Sequence, residues 1–129
     1  MIPLCAERSV GLIPWSPLAR GILARGPDSA TARATTDEYA RSLYGPGLSE
    51  GDRAIVAAVQ KVAAARGVPP AQVALAWLCQ RPCVVAPIVG ASKPHHIEDA
   101  VAALALKLVP EEVAALEAPY VPHAVAGHR

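Results

Sequence analysis

The 129-residue sequence has no phenylalanine, a single methionine and only 4% aromatic residues. A core built from it depends on close packing of small side chains, because alanine, which dominates the apolar fraction, buries little area per residue. Neither sign of charge prevails: 12 Lys+Arg against 11 Asp+Glu leave a formal net charge of +1. With no basic stripe there is no electrostatic case for nucleic acid or an acidic membrane surface. No apolar run approaches the ~20 residues needed to cross a bilayer. Met1–Arg8 meets charge too early to be a signal peptide. The three cysteines are an odd number placed in or beside regular elements, which predicts reduced thiols and a soluble, cytoplasmic protein.

What is present is apolar: 53% of the residues are hydrophobic. So much apolar surface must be buried, which excludes disorder for most of the chain. The length suits one modest core and is too short for two domains. Leu4–Arg8 reads as the last turn of a helix without an N-cap. Val10–Trp15 reads as a short strand covered on both faces, of the parallel kind. From Leu23 to Gly47 the chain is polar and broken by Gly26-Pro27 and Tyr44-Gly45-Pro46-Gly47, a long loop. Ser49 and the acids after it open a helix with an apolar stripe at Ile55, Val56, Val59, Val62 and Ala63, closed by Gly67. A second helix starts at Pro69-Pro70, is apolar nearly all round and stops at Pro82. Val84–Val89 reads as a second buried strand. A helix follows to about Leu104, then a short one from Val109-Pro110 to Glu117, then an irregular tail.

The organising stretch runs from Val84 to Asp99. A buried strand passes through Gly90-Ala91-Ser92-Lys93 into a helix with Pro94 in its first turn. First-turn N–H groups, the helix dipole and the Lys93 charge together suit a phosphate. The loop Trp15–Gly21, with its hydroxyl, its proline-fixed turn and Arg20, is a second candidate ligand loop at a strand's C-terminal end. Other signals have blander readings. Cys79 and Cys83 lack a second ligand pair and read as buried thiols rather than a zinc site. His95 and His96 diverge on a helix, His123 and His128 sit in the tail, and Tyr39 and Tyr44 read as packing or surface phenols. No metal site is expected.

Gly11–Gly21, Gln72–Leu78 and Ala86–Lys93 resemble, in order and spacing, the C-terminal part of aldo-keto reductases. The resemblance covers essentially the whole chain, so that 1–129 is expected to be a partial NADP-dependent oxidoreductase domain. It implies an α/β fold, the C-terminal part of a TIM (β/α)8 barrel, incomplete, with strands seven and eight and their helices. It also implies an NADP(H) site. Trp15 matches the position that stacks on the nicotinamide. Ser16, Pro17, Leu18, Arg20 and Gly21 match the loop over the pyrophosphate, and Gly90, Ala91, Ser92 and Lys93 the loop that receives the 2′-phosphate. His96 stands where many members have Arg or Gln. Asp99 stands where an acid or amide faces the adenine, and Ala100 where many members have Asn.

The family's catalytic Asp, Tyr, Lys and His have no counterpart here, so no catalytic residue carries over. The expected function is that of a C-terminal reductase segment, supplying cofactor contacts for reversible reduction of a carbonyl substrate to an alcohol and inactive by itself. Its expected partners are that small-molecule substrate and a missing N-terminal barrel half. The alternatives are a non-catalytic nucleotide-binding or interaction fragment that completes a barrel with a separate half, and a truncated product without activity.

Overall fold

Ser49 starts the longest helix among the described residues by a reciprocal cap. Its Oγ accepts the Asp52 N–H at 3.0 Å, and the Asp52 carboxylate accepts the Ser49 N–H at 3.3 Å. This satisfies donors that a helix start otherwise leaves open, and puts negative charge at the positive end of the dipole. The helix ends after 17 residues because Gly67 takes a left-handed conformation, φ 66°, that returns its N–H to the last carbonyls. The computed structural model describes residues 1–25 and 48–122. In chain order its helices are α1 (Ile2–Glu7), α2 (Ile22–Arg25), α3 (Glu50–Arg66), α4 (Pro70–Cys79), α5 (Pro94–Ala105) and α6 (Pro110–Glu117), with a 3₁₀ turn at Ala19–Gly21 before α2.

The core forms where these helices meet. α4 packs against α2, α3 and α5, and α3 also packs against α6. Val59, Val62 and Ala63 of α3 meet Val73, Ala74 and Ala76 of α4, and Leu108 and Leu116 close the cluster. Burial of each valine stabilises by about 1.5–3 kcal/mol. The alanines contribute less by area, but they let the helix axes approach closely. Gln80 ties the strand-like segment after α5 to the end of α4. Its Nε2 donates to the Leu106 carbonyl at 3.1 Å and its Oε1 accepts the Leu108 N–H at 3.3 Å.

The two expected strands are where the structure departs from the sequence reading. Among the described residues there is no sheet and no barrel, only two isolated parallel bridges, Leu12 with Val84 and Trp15 with Ile88. The expected C-terminal part of a TIM barrel is therefore corrected to a helical assembly with one short extended pair. The reason lies in the backbone. Pro14 and Pro87 have no N–H to donate, and three steps on one segment are matched by four on the other, so the register slips and the ladder stops. Nor are the faces covered. Ile13 is 61% exposed, Trp15 56%, Val85 67% and Ile88 57%, where strands of a parallel sheet would be buried on both sides.

Residues 26–47 of the expected Leu23–Gly47 loop, with Tyr39 and Tyr44, and the tail histidines His123 and His128 lie outside the described residues. The end of the expected loop that is described, Leu23–Arg25, is helical. No described helix is long and apolar enough to cross a membrane.

Candidate functional site

The parallel pairing decides where the candidate loops begin. Leu12 donates its N–H to the Cys83 carbonyl at 2.6 Å and accepts from the Val85 N–H at 3.0 Å, and Ile88 donates to the Pro14 carbonyl at 2.8 Å. Because both segments run the same way, the loop after Trp15 and the loop after Ile88 leave the pair at the same end.

The first loop is tightly folded. Ser16, Ala19 and Arg20 all have left-handed backbones, with φ of 52°, 47° and 56°. For non-glycine residues this costs on the order of 1–3 kcal/mol each. The Ser16 Oγ offsets part of that cost by accepting the Arg20 N–H at 3.2 Å, and its carbonyl accepts the Ala19 N–H at 2.9 Å. Leu18 packs against the helical core, which anchors the turn. Gly21, φ 93°, is the one position where this turn needs glycine. The Arg25 guanidinium folds over it, donating to the Gly21 carbonyl at 3.2 Å and the Arg20 carbonyl at 3.3 Å.

The second loop is open. Gly90, Ala91, Ser92 and Lys93 are all exposed, and nothing lies within 4 Å of where a Cβ on Gly90 would sit. Lys93 caps α5 without a side-chain hydrogen bond, and Pro94 fills the first turn. His96 reaches back so that its Nδ1 accepts the Ser92 N–H at 3.3 Å, and its ring meets that of His95 edge-on, with centroids 4.5 Å apart. Asp99 is engaged elsewhere: its Oδ1 accepts from Gln72 Nε2 at 2.8 Å, which links α4 to α5. The structure thus brings Trp15 to the segment that leads into Gly90–Lys93, joins Ser92 to His96, and commits Asp99 to a contact between helices.

Gln72 was legible in the sequence only as a polar position on a buried helix, and nothing marked it as the partner of Asp99. A second cluster had a partial signal. Arg81 follows Trp77 by four residues and stacks on its ring, 5.0 Å from the centroid. Both donate to the same oxygen of Glu117, Trp77 Nε1 at 3.0 Å and Arg81 Nη1 at 2.8 Å. Among the described residues no group of three or more His, Cys, Asp or Glu is placed to hold a metal.

Comparison with known proteins bears on these loops. The profile of the Aldo/keto reductase family matches residues 1–120. The chain belongs to the aldo/keto reductase family. Versiconal hemiacetal acetate reductase of Aspergillus parasiticus is 46% identical over 97% of the chain and 36% of its own length. Aldo-keto reductases of Fusarium vanettenii and Alternaria alternata (AMT2) are 43% and 42% identical, each over 99% of the chain and 34% of their own length. The chain thus spans about a third of the length of these curated relatives.

Family membership classes the chain with the aldo/keto reductases. It does not restore the expected mode of action. A barrel reductase holds cofactor and carbonyl together at the C-terminal face of its sheet, and the described residues contain no such face. The reading as a reductase segment serving carbonyl reduction is corrected on that ground. The expected N-terminal partner half is corrected with it, because the described residues offer no partial sheet for a second half to continue.

Proposed function

We propose that this aldo/keto reductase family chain is a non-catalytic nucleotide-binding protein and that its nucleotide is NADP(H). Residues 1–129 then make up part of one oxidoreductase domain. The observation that carries the reading is the parallel pairing at Leu12–Val84 and Trp15–Ile88, which sends both loops off at one end. The first loop offers the exposed Trp15 ring for stacking on a nicotinamide, with Ser16, Pro17, Leu18, Arg20 and Gly21 around the pyrophosphate. The second offers Gly90, Ala91, Ser92 and Lys93 to the 2′-phosphate. There the positive end of the α5 dipole and the Lys93 charge favour an anion. His96 supports that loop through Ser92, and Asp99 lies one turn further along α5.

Titration with NADPH, followed by quenching of tryptophan fluorescence, tests the proposal. Saturable binding is expected, without turnover of aldehydes or ketones. Lys93→Glu removes a charge pair to the 2′-phosphate, so it is expected to weaken NADPH about tenfold more than NADH. Equal losses for both nucleotides count against the role of Lys93. Absence of any binding favours a chain without activity of its own, and carbonyl turnover would overturn the non-catalytic reading.

A further inference from the structure

A cavity of about 360 Å³ opens among α2, α3, α4 and α6, and none of its lining residues belongs to the loops assigned to the nucleotide. Its walls are almost wholly apolar, with aliphatic side chains from Leu23, Ile55, Val59 and Leu116 joined by Trp77 and Tyr120. Leu23 and Ile55 are only half-buried and Tyr120 is 57% exposed, so the cavity is reachable from solvent. An apolar cavity of roughly 150 Å³ already takes up benzene, and this one has room for two fused rings.

The polar groups of the lining are committed elsewhere. An indole has one N–H, and Trp77 Nε1 gives its own to Glu117 Oε1 at 3.0 Å. The Glu117 side chain is 46% exposed and pairs with Arg81 at 2.8 Å, so its charge is met by water and arginine. Among the described residues no buried side-chain nitrogen or oxygen lacks a hydrogen bond, and the cavity therefore offers no unpaired buried group to a ligand. A charged guest would give up hydration to a carbon wall. What the lining favours is apolar surface leaving water. Its two aromatic residues favour a flat ring over a flexible chain, which would lose rotamer freedom on entry. We propose that this cavity binds a neutral, flat aromatic hydrocarbon of one or two rings, held by burial alone and without a hydrogen bond to the protein. This inference is independent of the nucleotide reading.

Titration of the full chain with naphthalene, followed through the methyl signals of two-dimensional NMR spectra, tests it. One saturable site is expected, with shifts at Leu23, Ile55, Val59 and Leu116 and none at Ile13, Val85 or Ile88 of the extended pair. 2-Naphthoate is expected to bind at least about tenfold more weakly, and 2-naphthol no more tightly than naphthalene. Ile55→Trp fills the cavity from a half-buried position and is expected to weaken naphthalene at least about tenfold at unchanged helix content. If that variant loses helix content, the methyl shifts of the unaltered chain decide. Absence of saturable binding overturns the proposal, as would shifts centred on the extended pair, equal or tighter binding of 2-naphthoate, tighter binding of 2-naphthol, or undiminished binding by folded Ile55→Trp.

Discussion

Helix α4 and the extended pair at 10–15 and 84–89 are alike in apolar composition and opposite in burial. In α4, Val73 is 0% exposed and Leu75 2%, while in the pair Val85 is 67% and Ile88 57% exposed. A helix satisfies its own backbone, so α4 is free to present its side chains to α2, α3 and α5. An extended segment must first find backbone partners, and these two segments, interrupted by proline, pair only through isolated bridges among the described residues. Apolarity thus produces burial only where the backbone is already satisfied. The comparison breaks most visibly by truncation. Leu75→Ala is expected to destabilise by about 2–5 kcal/mol, whereas Ile88→Ala is expected to stay within about 0.5 kcal/mol. Urea denaturation of both variants measures the difference, and a comparable loss at Ile88 would mean that the exposed face is covered in solution.

The same contrast explains what the sequence made legible. The Ser49 cap, the Gly67 stop, the Pro70 start and the Pro110 start are local signals, and each helix lies where its own residues place it. The strands were inferred from β-branched runs at Val10–Trp15 and Val84–Val89, a pattern that says which residues prefer extended backbone but not whether neighbours exist to pair with them. Pro14 and Pro87 were visible in both runs, and they are the physical reason that the ladder ends. The candidate site was legible as two loops, because glycine, serine and proline mark turns directly. The commitments of Asp99 to Gln72 and of Glu117 to Trp77 and Arg81 join residues 27 to 40 positions apart, and no local pattern encodes them.

A second way to sharpen the comparison is acid. The helical region carries a bidentate ion pair between the end of α3 and the start of α6. Arg66 Nε and Nη2 reach the two Glu112 oxygens at 2.5 and 2.7 Å. Nη2 also donates to the Lys107 carbonyl at 3.2 Å, and Glu112 accepts the Val109 N–H at 2.9 Å. The Arg66 guanidinium first, and the Val109 N–H after it, lower the Glu112 carboxyl from 4.5 to about 2. A carboxyl lowered on folding contributes stability that is fully present above its unfolded value and lost as pH falls through its folded one. The urea midpoint is therefore expected to fall between pH 4.5 and about 2, with a shallower slope in Glu112→Gln. An unchanged slope in that variant would mean that other carboxylates carry the acid sensitivity. The extended pair holds no titratable side chain in 10–15 or 84–89, so its pairing has no acid dependence of its own.

The smallest expected effect lies in the pair itself. A Cβ on Gly11 would stand 2.8 Å from Val85 Cγ1 and 3.1 Å from Cγ2, too close for a carbon contact. Valine has few χ1 alternatives, so Gly11→Ala pushes the two segments apart rather than turning one side chain. The bonds at risk are Leu12 N–H to Cys83 and Val85 N–H to Leu12. Amide exchange at Leu12 and Val85 is expected to accelerate, with global stability changed by no more than about 0.5 kcal/mol. Gly90→Ala, with nothing within 4 Å, serves as the control and is expected to leave both amides unchanged. Because the pair sets where both loops of the proposed nucleotide site begin, Gly11→Ala is also expected, on that proposal, to weaken NADPH without touching either loop. Faster exchange at unchanged NADPH affinity would show that the loops hold their positions through the Leu18 anchor in the helical core instead.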